Sequence, residues 1–349
     1  MRIAQLAPTY ERVPPAAYGG TELIVHLLTE ELVRRGHEVT LFASGDSVTT
    51  ARLRSVTPTP FRYGDVADGL RHAEYLQLAN AQACFLEAAD GAFDIVHNHA
   101  GIEGMVLGAT SRTPVLTTNH NPFVPLTLPI WDAYPWAHHE ITAASAATFP
   151  GRGALPPIHH GIDVASFSFG RQAEGYLLFL GRFSPDKGAA RAIAAARLAD
   201  RPLILAGKVD GTDIEHFTTE IEPAFDGERI TYIGEADSET KRRLLAGADA
   251  LLFPIEWDEP FGLVMIEALA SGTPVIGFRR ASVPEVVTDG LTGFVVDDVD
   301  SMAAAVSRLG LIDRGVCRRE AERRFTVERM VDDYVRHYTA VLDEALAAR

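Results

Sequence analysis

Short apolar runs alternate with amphipathic stretches from one end of the chain to the other. Ile3 to Ala7 reads as a strand, and after a Pro/Gly loop Thr21 to Arg35 reads as a helix. Its stripe is Leu23, Leu27 and Leu32, with Ile24, Leu28 and Val33 beside them. Gly36 supplies a C-terminal stop, and His37 to Ala43 returns to strand. Further strands are predicted at Asp94–His97, Val115–Thr118 and Ile141–Ala143, then at Tyr176–Leu180, Pro202–Ala206, Ile230–Ile233, Ala250–Phe253, Val275–Phe278 and Gly293–Val296. Such alternation predicts an α/β protein built on parallel, doubly wound sheets. A Pro/Gly-rich stretch from Pro150 to Gly175 interrupts it, dividing the chain into Rossmann-like units at 1–165 and 166–325. Val327 to Ala348 closes the chain as an amphipathic helix carrying Met330, Tyr334 and Tyr338 on one side.

Length and composition sharpen this picture. A chain of 349 residues exceeds one ordinary core, and 47% hydrophobic residues with 29 Gly and 20 Pro describe a globular, turn-rich protein. The net charge of −15, with no basic block, argues against nucleic acid and against an anionic membrane surface as partners. Cys84 and Cys317 are the only cysteines, and each reads as a buried thiol rather than part of a disulfide or zinc framework. Met1 to Pro8 is too soon interrupted for a signal peptide, and no apolar run reaches the roughly 18 residues of a membrane span. A cytoplasmic location is the expectation.

Candidate chemistry gathers where strands end, the ligand-binding edge of a doubly wound sheet. In Glu256-Trp257-Asp258-Glu259-Pro260-Phe261-Gly262-Leu263-Val264-Met265-Ile266-Glu267, two carboxylates flank the start of a helix. The first-turn amides between them suit a phosphate, and eight positions span on the order of 10 Å. That is the layout of a nucleotide-sugar site, although carboxylates near helix starts also simply complement the dipole. Gly181-Arg182-Phe183-Ser184-Pro185-Asp186-Lys187-Gly188 places two cations on one loop, able to neutralise a diphosphate. Tyr18-Gly19-Gly20-Thr21-Glu22 opens a helix with paired glycines, without the dinucleotide fingerprint, so a nicotinamide or flavin cofactor is poorly supported. His97-Asn98-His99 and Asn119-His120-Asn121 end neighbouring strands, where an Asn-flanked histidine suits contact with sugar hydroxyls. The His138-His139 and His159-His160 pairs lack a recognised metal-ligand spacing, and no metal site is expected.

Taken together, Gly19-Gly20, Gly181-Arg182 with Lys187-Gly188, and Glu259-Pro260-Phe261-Gly262-Leu263 through Glu267 resemble the retaining, nucleotide-sugar-dependent glycosyltransferases of the GT-B fold, family 4-like. Ala270 to Ile276 and Pro284-Glu285-Val286-Val287 extend the likeness. The stretch from Glu11 to Glu22 is similar to a bacterial subgroup that includes the avilamycin-pathway and cyanobacterial pterin glucosyltransferases. Two departures are His160-Gly161, where the family commonly has Asn-Gly, and Ser282-Val283 before Pro284-Glu285, where it commonly has a Gly pair.

The resemblance implies that Glu259 contacts the donor sugar and Glu267 the ribose. It implies that the backbone of Gly262, Leu263 and Val264 meets the diphosphate, helped by Arg182 and Lys187. His120 would sit by the sugar ring near the reacting carbon, Gly19 and Gly20 would approach the phosphate, and 326–349 would cross back to the first unit. The donor is a substrate and no further cofactor is implied; UDP-glucose is the favoured donor. With no Asp-x-Asp pair and no identifiable carboxylate nucleophile, same-face substitution without a metal is the expected route. A GT-B-fold epimerase and a non-catalytic nucleotide-sugar-binding protein are the alternatives. The hydroxyl acceptor, a small molecule or a glycan, would meet loops Ser47–Leu70 and Asn121–Pro135, where Trp131, Tyr134 and Trp136 would either stack on it or pack in the core.

Overall fold

The computed structural model describes residues 1–16, 19–61, 69–149 and 153–347. The expectations for Tyr18, Pro150 and Ala348, and for 62–68 of the Ser47–Leu70 loop, lie outside the described residues. The chain forms two compact units, Met1–Gly161 with Val327–Arg349, and Ile162–Thr326.

The first unit holds six strands: β1 (Arg2–Leu6), β2 (Glu38–Phe42), β3 (Arg52–Arg54), β4 (Ile95–Asn98), β5 (Val115–Thr118) and β6 (Ala137–His139). They form one parallel sheet in the order β3-β2-β1-β4-β5-β6. The second unit repeats the plan with β7 (Leu177–Leu180), β8 (Leu203–Ala206), β9 (Ile230–Tyr232), β10 (Ala250–Phe253), β11 (Val275–Phe278) and β12 (Gly293–Val296). Its order is β12-β11-β10-β7-β8-β9, again parallel throughout. Both are doubly wound Rossmann-like sheets, as the strand-helix alternation predicts. Strand order reverses between β1 and β4 and between β7 and β10, and the loops leaving those strands line the crevices where such sheets bind ligands.

β4, β5, β10 and β11 are buried along their whole length, the signature of parallel strands covered on both faces. The core of the second unit holds Leu251, Leu252, Val275 and Ile276, and buries Ser271, Thr273, Ser282 and Thr292. That of the first also buries Gln5, His97, Asn98, Thr117, Thr118 and His139, each at most 1% exposed. Val327–Ala347 lies along this unit with Met330, Val331, Tyr334 and Tyr338 fully buried at helical spacing. Arg35 Nη1 pairs with Asp332 Oδ1 at 2.6 Å, and Arg329 Nη2 donates to the carbonyls of His159 (2.6 Å) and His160 (3.0 Å).

Several expectations are corrected. The strand proposed at Ile141–Ala143 lies earlier, at Ala137–His139, paired with β5 through Leu116↔Ala137 and Thr118↔His139. Thr142 instead caps a short helix, its Oγ1 accepting the Ser145 amide at 3.1 Å, which ends strand geometry there. The stripe of the first helix, Gly20–Arg34, is rotated: Ile24, Leu28 and Leu32 are fully buried, with Val25 and Thr29, while Leu23, Leu27 and Val33 are half-buried. The Ser47–Leu70 stretch contains β3, which pairs with β2 at the sheet edge. Gly69–Ala89 is a helix that apolar periodicity does not reveal, because its buried face is Ala73, Gln77, Asn80, Ala81, Cys84 and Ala88. Trp131 and Tyr134 belong to the core at 6% and 5% exposure, their polar tips bonded to Thr127 (3.1 Å) and Thr117 (2.8 Å). Burial pushes the thiols of Cys84 and Cys317 up, as expected of inert buried cysteines. No helix among the described residues is long and apolar enough to cross a membrane.

Candidate functional site

In the second unit, the loops leaving β7 and β10 are laced together. Pro185–Lys187 forms a 3-10 turn, with proline at the first turn where its missing N–H costs nothing. Gly188 follows in the left-handed region (φ 81°), and a Cβ there would lie 2.2 Å from the Pro254 carbonyl oxygen. Only glycine lets the two loops approach so closely. The Glu256 amide then donates to the Asp186 carbonyl at 2.9 Å, and Arg191 pairs with Glu256.

This lacing brings Lys187 and Glu259 together. The Lys187 ammonium donates to Glu259 Oε2, and Trp257 Nε1 donates to the same oxygen at 2.8 Å. The ammonium also sits 4.4 Å from the centre of the Trp257 ring. Lysine and glutamate here are only 11% and 14% exposed, so the pair is worth more than a surface ion pair. Three residues on two loops thus make a rigid, charged corner.

The helix after it, Leu263–Ala270, starts from Gly262 in the left-handed region (φ 80°). A Cβ at Gly262 would press on Met265 Cε at 2.9 Å and the Phe253 ring at 3.0 Å. Gly262, Leu263 and Val264 are half-buried, and their position ahead of the helix's own hydrogen-bond ladder aims first-turn amides outward. Glu267, on the second turn, is 5% exposed and accepts from Lys241 Nζ at 2.6 Å.

Arg182 turns toward the loop after β8, with Nη1 3.4 Å from Asp210 Oδ2, while Lys208 Nζ is 2.7 Å from Asp210 Oδ1. The two cations hold the Asp210 carboxyl below its ordinary range against the opposing effect of burial. The structure therefore gathers Lys187 with Glu259, and gives Arg182 and Glu267 their own partners. Trp257, Asp210, Lys208 and Lys241 carry no role in the sequence reading; a single Lys or Asp far along the chain offers no signal before folding supplies its partner.

In the first unit the carboxyl ends of β1, β4, β5 and β6 hold a connected polar cluster. Register sets Gln5 beside His97 and Thr118 beside His139. His97 Nε2 and His139 Nε2 both lie 2.7 Å from Thr118 Oγ1, and His97 Nδ1 is 2.7 Å from the Tyr338 hydroxyl. Tyr334 approaches Thr118 Oγ1 at 3.4 Å. His99 reaches Gln5 Oε1 through Nε2 at 2.9 Å and His120 Nε2 through Nδ1 at 2.9 Å. His120 keeps a partly exposed face, and His160 stacks on it with ring centres 5.5 Å apart.

Burial disfavours the imidazolium throughout. It pushes His120 and His139 down to about 3, and lowers His97, His99 and His160 well below the ordinary value, helped by neighbouring histidines. The histidines act as neutral hydrogen-bonding groups. Among the described residues no group of three or more His, Cys, Asp or Glu side chains is arranged to hold a metal ion.

Gly19 and Gly20 stand at the start of the first helix, after β1. A Cβ at Gly19 would meet Pro15 Cβ at 2.6 Å and Glu22 Oε2 at 3.2 Å. Glu22 is 6% exposed, and burial raises its carboxyl to about 7, with Glu11 adding to the rise and its own backbone amide opposing it.

Known proteins share this architecture. The chain matches the family model of Glycosyltransferase Family 4 over residues 18–150 and that of Glycosyl transferases group 1 over 165–321. A phosphatidyl-myo-inositol mannosyltransferase of Mycolicibacterium smegmatis is 29% identical over 348 residues, covering 90% of this chain and 85% of the relative. The crystal structure of AviGT4, a glycosyltransferase involved in avilamycin A biosynthesis, is similar with a TM-score of 0.75 and 26% identity, over 99% of this chain and 98% of that one. Anabaena Alr3699/HepE, solved with UDP-glucose, shares the fold at a TM-score of 0.69 and 18% identity, each chain covered fully at 100%.

Proposed function

The chain is a glycosyltransferase of the GT-B fold, and on that premise we propose that it moves a hexose from a nucleotide-sugar to a hydroxyl acceptor with retention of configuration. The observation that carries this reading is the Lys187–Glu259–Trp257 corner at the strand-order reversal of the second unit, beside the Gly262 helix start. It offers what a sugar diphosphate requires: fixed positive charge, outward amides, and a carboxylate for sugar hydroxyls.

In this reading Lys187 and Arg182 face the diphosphate, with the amides of Gly262, Leu263 and Val264. Glu259 accepts from sugar hydroxyls and Glu267 from the ribose hydroxyls, the latter replacing Lys241 as donor. His120 Nδ1 or its ring edge meets the sugar, and Gly19 and Gly20 let backbone approach a phosphate. The anomeric carbon–phosphate bond breaks with its electron pair going to the phosphate oxygen. The acceptor oxygen bonds that carbon on the same face, and its proton passes to the departing phosphate. Lys187 and Arg182 stabilise the charge that develops there, so no divalent ion is required. Binding these cations to a diphosphate means loosening their present contacts with Glu259 and Asp210.

UDP-glucose is the donor favoured by the resemblance of the motifs, and the mannosyltransferase among the relatives makes a nucleotide-mannose its main competitor. A panel of UDP-glucose, GDP-mannose and ADP-glucose, scored by thermal shift without acceptor and then by the anomer released on transfer, tests the proposal. Stabilisation by UDP-glucose with a retained anomer supports it. An inverted anomer overturns the stereochemistry, and a donor that is bound but only epimerised, or never turned over, supports an epimerase or a binding protein instead.

A further inference from the structure

The neutral histidines of the first unit each carry one ring proton, and their partners dictate which nitrogen holds it. His139 fixes one end. Its Nδ1 lies 3.0 Å from the Glu140 carbonyl oxygen, which only accepts, so Nδ1 carries the proton and Nε2 a lone pair. The Thr118 hydroxyl must then donate to His139 Nε2. Having one proton, it accepts from His97 Nε2, and His97 is protonated there with a lone pair on Nδ1.

The direction continues without a choice at any step. Tyr338 donates its hydroxyl proton to His97 Nδ1 and accepts from Gln5 Nε2 at 3.1 Å. That orients the Gln5 amide, whose Oε1 accepts from His99 Nε2. The same His99 proton also points at His97 Nδ1, 3.1 Å away, giving a second route of the same sense. His99 Nδ1 is therefore a lone pair, and the proton between it and His120 belongs to His120 Nε2.

We propose that His139, Thr118, His97, Tyr338, Gln5 and His99 form a one-directional hydrogen-bond relay that fixes His120 as the tautomer with its proton on Nε2 and its lone pair on Nδ1. These are positioning residues. His120 then presents an acceptor, able to take a hydrogen bond from a substrate hydroxyl, rather than a second donor. The catalytic consequence rests on the reading of His120 as a sugar contact; the tautomer does not.

Two self-consistent directions exist in such a chain, and the Glu140 carbonyl selects one. Removing the Thr118 hydroxyl cuts His97 from this anchor, and His97 is then free to hold its proton on Nδ1. Tyr338, Gln5 and His99 can follow, leaving His120 protonated on Nδ1.

The test is long-range 1H–15N spectroscopy of the full chain labelled with 15N-histidine, without substrate, the His120 signals assigned by their loss in His120→Asn. Wild type is expected to show His120 protonated on Nε2. Thr118→Val is expected to show the Nδ1–H form, with kcat lower by about fivefold to tenfold, the scale of one hydrogen bond, and donor KM changed less than twofold. Thr118→Ser restores both. A wild-type His120 protonated on Nδ1 overturns the relay, as does a folded Thr118→Val whose His120 stays in the Nε2–H form. Should that variant not fold, His139→Phe removes the anchor and is expected to reverse the tautomer in the same way; the wild-type spectrum decides alone if neither folds. An Nε2–H His120 together with undiminished transfer by His120→Asn sustains the relay and sinks the sugar-contact reading.

Discussion

The two units share one strand order and put unlike chemistry at the same edge of their sheets. In the first, the carboxyl ends hold neutral, buried groups bonded to one another: His97, His99, Thr118, His139 and Tyr338. In the second, the loops and helices that follow the strands hold ion pairs: Lys187 with Glu259, Arg182 with Asp210, Lys241 with Glu267. A neutral network orients without attracting charge, whereas paired ions can exchange partners for those of a ligand. A repeated fold divides labour through what fills its strand ends, and here the second unit supplies the fixed cations Lys187 and Arg182.

Acid breaks the comparison most strongly. Eleven of the twelve histidines (all but His216) lie in the first unit. A histidine held down in the folded state contributes stability that is present above its unfolded value near 6.5 and lost as pH falls toward its folded value, about 3 for His120 and His139. Each of these two costs about 1.4 kcal/mol per pH unit across that window, and His97, His99 and His160 shift stability in the same direction. Hydrogen exchange at pH 5 is expected to show the first unit opening while the second stays protected. The carboxylates held low in the second unit, Asp210 for example, lose their contribution only below the ordinary carboxylate range.

Lys187→Ala attacks the charged corner. Losing one donor to developing charge is expected to lower kcat by about 10²–10³-fold, and leaving Glu259 without its ammonium is expected to lower the melting temperature of the apoprotein without unfolding it at assay temperature; steady-state transfer assays and thermal melts check both. Glu22→Gln probes the first unit in the opposite sense from its histidines. The Glu22 carboxyl is raised to about 7, so its contribution is full below about 4.5 and is lost as pH rises to 7. The variant is expected to be up to about 3 kcal/mol more stable than wild type at pH 8 relative to pH 4, measured by denaturant unfolding. Smallest is Glu267→Gln, which keeps an acceptor but loses the charge opposite Lys241; donor KM is expected to rise by about tenfold or less.

Legibility in the sequence follows the same division. The β10 and β11 runs were readable to the residue because Ala250–Phe253 and Val275–Phe278 are wholly apolar and bounded by turn residues. β6 was displaced because its residues, Ala137-His138-His139, are not recognisably those of a core strand, and only pairing with β5 makes them one. The Gly69–Ala89 helix hid behind small and polar buried residues for the same reason. Of the site, loop positions were visible through glycine and proline: Gly188 and Gly262 adopt backbone conformations that side chains resist. Partners were not. Nothing in the spacing of Lys241 and Glu267, or of Gln5, His97 and Tyr338, indicates that they meet, since tertiary packing alone decides it.

The central claim, that the charged strand ends of the second unit seat a nucleotide diphosphate, is tested most directly by calorimetric binding of UDP at one salt concentration to wild type, Lys187→Ala and His120→Asn. A Kd at least about tenfold weaker is expected for Lys187→Ala, a loss of about 1.4 kcal/mol, and an affinity within twofold of wild type for His120→Asn. Equal affinity in wild type and Lys187→Ala, or a loss confined to His120→Asn, would contradict it.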